Sequence, residues 1–183
     1  QIEDSIESVV TNALFSDGAA AVILSSEPMP APGKALVYRG GHSVVMPDSQ
    51  DLMSWTIGDT GFMMGLSSQV PDRIGTNISS YIDGVLASHD LSRSDLSFWA
   101  VHPGGIQIVR QVQTALNLAQ SQLQDSYDVL RNYGNMSSPT VLFILKQILE
   151  RLNRDELPTP NQLGGAMAFG PGLTIECALF EVV

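Results

Sequence analysis

From residue 71 to the end of the chain, short apolar runs alternate with stretches of helical periodicity, and few architectures can bury both. Ile74, Ile78, Ile82, Val85 and Leu86 recur at helical spacing between Pro71 and Asp90, with Pro71 suited to the first turn. The run SFWAV is a strand leading straight into His102. Ile106, Val109, Val112 and Leu116 mark a second helix, and Leu123, Tyr127 and Leu130 a third. A fourth starts at Pro139 and runs through VLFILKQILERL, with Ser137 or Ser138 as its cap. After the turn AFGPG, LTIECALFEVV is rich in strand formers, so two strands close the chain. This order predicts a layered α/β domain.

The earlier part is less regular. Asp17-Gly18 is a turn signal, and the small residues and AVIL behind it read as a tightly packed buried strand. A Pro-rich loop, EPMPAPGK, precedes a strand around ALVYRG, and Trp55 and Ile57 fall in an extended piece. The chain opens at Gln1 in a polar, helical-looking stretch, as a processed product or a piece cut from a longer protein would. With no repeat, low-complexity tract or long linker, residues 1–183 are expected to form a single domain.

Nineteen acidic against nine basic residues give a net charge of −10, and the positive charges form no stripe. Such a surface repels phosphate backbones and anionic membranes, so neither nucleic acid nor membrane is an expected partner. No apolar run approaches the roughly 20 residues that span a bilayer. A single cysteine, Cys177, cannot build a disulfide framework within the chain, and the expected setting is the reducing cytoplasm.

Two short polar motifs carry the chemistry. In FWAVHPGG, His102 stands where a strand gives way to a helix, a common place for ligand-binding groups in α/β proteins. Pro103 fixes the backbone there, and Gly104 and Gly105 let a ligand approach the main chain. A lone histidine after a strand is more often a loop or capping residue; the Pro-Gly-Gly that follows favours function. In NYGNMSSPTVLFIL, Asn135 reads either as a left-handed turn residue or as an amide donor aimed at developing negative charge near a helix start. Beside His102, the donor reading is preferred.

No nucleophile accompanies this pair. Cys177 alternates with Ile175 and Leu179 on one strand face, the pattern of a core thiol rather than an activated one. His42 and His89 have no motif around them and read as surface or loop residues, and Asp17 as a turn carboxylate. AFGPG lacks the lysine and the spacing of a phosphate-binding loop and reads as a tight turn shaping a cavity wall. No His, Cys and carboxylate cluster has metal-ligand spacing, so no metal is expected.

Taken in order, LFSDGAAAVIL, WAVHPGG, YGNMSSPTVLFIL and AFGPGLTIE closely resemble the C-terminal half of type III polyketide synthases, the chalcone and stilbene synthase family. The likeness covers nearly the whole chain. It implies a thiolase-like fold, a layered α/β/α half with a mixed central sheet, whose Cys-bearing N-terminal partner half is absent here. It also implies an acyltransferase that condenses an acyl-CoA starter with malonyl-CoA by decarboxylative Claisen chemistry, without a cofactor, as a homodimer; this half alone would be inactive. His102 would match the family's catalytic histidine, and Asn135 the asparagine that holds the thioester carbonyl with it. Phe15 matches a gatekeeper phenylalanine, and Met64 stands near the second gatekeeper, with Met63 beside it. Ser137 falls at a cavity-lining serine, and Ala168, Phe169, Gly170, Pro171 and Gly172 match the cavity loop, with Ala168 where plant members have glycine. Methionine in place of the second phenylalanine argues against a chalcone-type product. The alternatives are a half of a β-ketoacyl-acyl carrier protein synthase III, whose histidine is normally followed by Gln-Ala-Asn rather than Pro-Gly-Gly, and a non-catalytic interaction domain.

Overall fold

A computed structural model describes residues 6–27, 33–59, 61–157 and 163–183. Its elements are helix α1 (Ile6–Leu14), strands β1 (Leu36–Val45), β2 (Met53–Gly58) and β3 (Gly61–Leu66), helix α2 (Val70–Ala87), strand β4 (Leu96–Val101), helices α3 (Ile106–Leu116), α4 (Gln124–Tyr133) and α5 (Pro139–Asn153), and strands β5 (Leu163–Gly170) and β6 (Thr174–Val182). Four strands form a mixed sheet in the order β1-β6-β5-β4, in which β4 and β5 run parallel and β6 is antiparallel to both β5 and β1. The parallel pair requires a long crossover, and α3, α4 and α5 supply it.

Both faces of the sheet are covered, which explains why β4, apart from Ser97, is an apolar run instead of alternating. Trp99 and Val101 of β4 join Met167, Ile175, Cys177 and Leu179 in a core closed by Ile74, Ile78 and Ile82 of α2 and Val109 and Val112 of α3. Phe98 and Ala100 face the other way, onto Ile144, Ile148 and Leu152 of α5. The strand periodicity of two thus feeds two cores, and the result is a three-layer α/β/α arrangement.

Adjacent aromatics on β4 need space on β5. A Cβ on Gly164 would lie 2.1 Å from the Phe98 ring and one on Gly165 2.7 Å from the Trp99 ring, so consecutive glycines admit consecutive aromatic rings on opposite faces.

Some expectations are corrected. The AVIL run is not a buried strand: residues 16–25 have no regular structure, and Val22, Ile23 and Leu24 are 60%, 79% and 84% exposed. A strand is stable only beside a neighbour, and no strand among the described residues pairs with this one. Neither serine caps α5 through its side chain: Ser138 is the N-cap without such a bond, and Ser137 is turned to φ +62°. The extended piece around Trp55 is one arm of a hairpin whose return strand, β3, the sequence reading did not separate. Most of the Pro-rich loop, residues 28–32, lies outside the described residues.

Two glycine substitutions should act in opposite directions. Gly164→Ala forces a methyl group into the Phe98 ring and should destabilise the fold by about 1–3 kcal/mol. Gly84→Ala, in α2 with nothing within 4 Å of the added carbon, should stabilise it by about 0.4–1 kcal/mol. Chemical denaturation of both variants checks the signs.

Candidate active site

The parallel strands β4 and β5 end side by side, Val101 opposite Met167, and the chain leaves both ends at one cavity of about 90 Å³. Ligand sites in α/β folds commonly lie at the carboxyl ends of strands. His102 follows β4 directly, its backbone N–H donating to the Met167 carbonyl at 2.8 Å. Its carbonyl accepts from the Gly104 N–H at 3.1 Å, closing a tight turn into α3. A Cβ on Gly104 would sit 2.9 Å from Cδ1 of Ile108, so any side chain here would require the end of Ile108 to move.

The imidazole is 8% exposed, and burial pushes its pKa down to about 4. At neutral pH His102 is therefore an uncharged ring, able to donate one N–H while its other nitrogen accepts. No hydrogen bond within the described chain occupies the ring.

Asn135 also lines the cavity and is 2% exposed. Its backbone forms a parallel bridge with Phe15: its N–H donates to the Leu14 carbonyl at 3.2 Å, and its carbonyl accepts from Ser16 N–H at 2.9 Å. Gly134, at φ +74°, makes the turn from α4 into this bridge, where a Cβ would lie 2.9 Å from Oγ of Ser16. The side-chain Oδ1 accepts from the Ser137 N–H at 2.9 Å. Since an N–H can only donate, the amide is oriented by this bond, and its NH₂ end is the end left to meet a ligand. Asn135 is thus held in a bridge rather than in a left-handed turn; Gly134 and Ser137 take the positive φ angles on either side of it.

The remaining wall is largely apolar. In the β2–β3 hairpin Trp55 pairs with Met64 and Met53 with Leu66, and all four line the cavity from one face. Met63 pairs with Thr56 on the opposite face and is 44% exposed, so alternation separates the two methionines that the sequence left side by side. Phe15, Gly104, Ser137, Phe169, Gly170 and Pro171 also line the cavity. Gly105 and Gly172 do not: Gly105 is the N-cap of α3, and Gly172, at φ +123°, turns the β5–β6 hairpin while its carbonyl accepts from the Ser49 hydroxyl at 3.0 Å. Sequence reasoning missed Met53, Trp55, Leu66 and Ile108 as lining residues. The period-two apolar pattern Met53, Trp55, Ile57 was the available signal for the first two.

Cys177 lies in the core with its thiol pushed up to about 12 by burial, and it is not among the lining residues. His42 and His89 are neither isolated nor fully on the surface: both are half-buried, their Nε2 atoms 2.9 Å apart. Gly40 makes room for this pair, a Cβ there lying 3.0 Å from Cε1 of His89. Among the described residues no group of three or more His, Cys, Asp or Glu side chains could hold a metal ion, and no helix is long and apolar enough to cross a membrane.

Comparison with known proteins decides the family. Residues 39–183 match the sequence profile of chalcone and stilbene synthases, C-terminal domain. The chain belongs to this family. It is 35% identical over 183 residues to polyketide synthase 37 of Dictyostelium discoideum, covering 98% of this chain and 6% of that protein. It is also similar to the crystal structure of PKS-I from the brown alga Ectocarpus siliculosus, with a TM-score of 0.86 at 32% identity over 99% of this chain. The chain spans 48% of the algal protein's length. The mixed sheet and its two helical layers are accordingly the thiolase-like fold of a type III polyketide synthase C-terminal domain.

The depressed pKa of His102 has a signed consequence. The unfolded chain takes up this proton first, near the ordinary imidazole value of about 6.5. The histidine therefore withdraws stability as pH falls from there towards about 4. His102→Phe should lose less stability between pH 7 and pH 5 than the unsubstituted chain, and the His102 ring signals should not titrate above pH 5 in an NMR titration.

Proposed function

We propose that this chain carries the enolate-stabilising part of a polyketide-forming active site, which acts when joined to a thiol-bearing half. The observation that carries the reading is the meeting of a neutral His102 imidazole and an oriented Asn135 amide on the wall of one mostly apolar cavity. When a malonyl thioester loses carbon dioxide, the electrons of the breaking C–C bond pass onto the thioester oxygen as an enolate. Two N–H donors fixed at that oxygen need no reorganisation as charge develops, and each such donor is typically worth about 3 kcal/mol. The enolate carbon then attacks an acyl group held as a thioester on the other half, forming a C–C bond and expelling the thiolate. The reaction is an acyl transfer that draws on the thioester's own carbonyl as electron sink and calls for no metal or redox cofactor.

Acyl-CoA and malonyl-CoA are the substrates in this reading. Phe15, Met64, Ser137 and the Phe169–Pro171 segment shape the space for the growing chain, with Trp55 added by the hairpin geometry. Gly104 and Gly105 keep the turn behind His102 slim. The exposed run Val22, Ile23 and Leu24 supports a further half packing onto this one, since adjacent large apolar side chains left in water favour association. The complete protein is proposed to be a cytoplasmic homodimer, and the present chain alone to be inert for want of a nucleophile at the cavity.

The decisive experiment measures malonyl-CoA decarboxylation by the complete protein. His102→Ala and Asn135→Ala should each lower it by about 10²-fold or more. His42→Ala, remote from the lining residues, should do little. Near-normal turnover in a folded His102→Ala protein overturns the assignment.

Product size should follow Met64 and ignore Met63. Each methylene of a starter that enters the apolar cavity gains about 0.8 kcal/mol, and a flexible thioether yields more readily than a rigid ring. Met64→Trp should shift products towards shorter starters or fewer extensions, whereas Met63→Trp, on the far face of β3, should leave the profile unchanged. A shift in the Met63→Trp products alone would refute the hairpin's role.

A further inference from the structure

The end strand of the sheet poses a problem that one side chain solves. Among the described residues strand β4 pairs only with β5, so every second N–H along it points away from the sheet. The His102 N–H is directed to the Met167 carbonyl of β5. That of Val101, one residue earlier, therefore points outward into a buried region with no strand to receive it. Oγ of Ser126 accepts it at 3.0 Å, from the first turn of α4. Val101 and Ser126 are both fully buried. A buried backbone N–H without a partner costs about 1–3 kcal/mol, so this contact fixes the strand end rather than decorating it.

The same helix is anchored at two further points. Asp125, beside Ser126, is paired with Arg151 of α5, and both side chains are mostly buried. At its other end α4 passes through Gly134 into Asn135. One short rigid helix thus bonds to the residue before His102 and leads directly into Asn135.

We propose that Ser126 is a positioning residue: its hydroxyl replaces the missing strand neighbour at Val101 and sets the place of the His102 imidazole relative to the Asn135 amide. The inference rests on the role of these two groups proposed above. A displaced donor weakens in the transition state far more than it weakens substrate binding, so loss of the hydroxyl should lower kcat and spare KM.

Ser126→Thr and Ser126→Val test this, because they differ only in a hydroxyl against a methyl group at nearly equal volume. In the complete protein, malonyl-CoA decarboxylation by Ser126→Thr should stay within about threefold of the unsubstituted enzyme, while Ser126→Val should lose ~10-fold or more in kcat with KM changed less than about twofold. Equal kcat values for the two variants would overturn the proposal. Should Ser126→Val not fold, Ser126→Ala is the second variant, with the same expected loss, and an unchanged kcat there is equally fatal. A second readout does not depend on turnover: in ¹⁵N-histidine-labelled protein, the His102 imidazole resonance should move in Ser126→Val and stay in place in Ser126→Thr. If the unsubstituted enzyme proves unable to decarboxylate malonyl-CoA, the functional reading falls, and this resonance alone decides the positioning: displacement supports it and an unmoved signal refutes it.

Discussion

Everything in this structure hangs on β4 being buried on both faces while lying at the end of its sheet. Burial on both faces demands an apolar strand, and Phe98 and Trp99 satisfy it by sending adjacent rings into opposite cores. Those rings pack against β5, which runs parallel to β4, because Gly164 and Gly165 offer no side chains there. The two carboxyl ends then coincide, and the cavity forms where they do.

Chemistry follows from that packing. His102 is neutral because the layers that bury β4 also bury the first residue beyond it, and a charged imidazole there would forgo hydration. Asn135 comes from the crossover that a parallel pair requires, and its amide is oriented by the backbone N–H of Ser137, two residues before α5. A neutral donor and an oriented amide suit a charge that appears only during reaction, since neither binds a resident anion strongly beforehand. The hairpin β2–β3 supplies one face of the apolar wall, and its one-sided display of Met53, Trp55, Met64 and Leu66 is a direct result of strand alternation.

The bridge between Phe15 and Asn135 joins parts of the chain far apart in sequence, and it runs beyond the segment matched by the family profile, which begins at residue 39. The segment holding Phe15 continues into the exposed Val22, Ile23 and Leu24. Residues that support the candidate site on one side therefore lead, on the other, into an apolar run with no cover among the described residues.

The sequence by itself determined the layered α/β class, the four long helices after residue 70, the closing strand pair, and the standing of His102 and Asn135 at element boundaries, because apolar periodicity and Pro, Gly and Ser punctuation are local signals. It also marked Cys177 as a core residue through its alternation with Ile175 and Leu179. Only the tertiary structure decided that AVIL is uncovered, that Met64 and not Met63 faces the cavity, that Trp55 lines it, and that His42 meets His89. Each of these turns on which neighbour a strand finds or on which face a loop returns to, and a pairing between distant residues leaves no periodic trace in the sequence around either one. The same holds for Ser126: in sequence it is one serine in a polar helix start, and its significance arises from the Val101 N–H that the end of the sheet leaves pointing towards it.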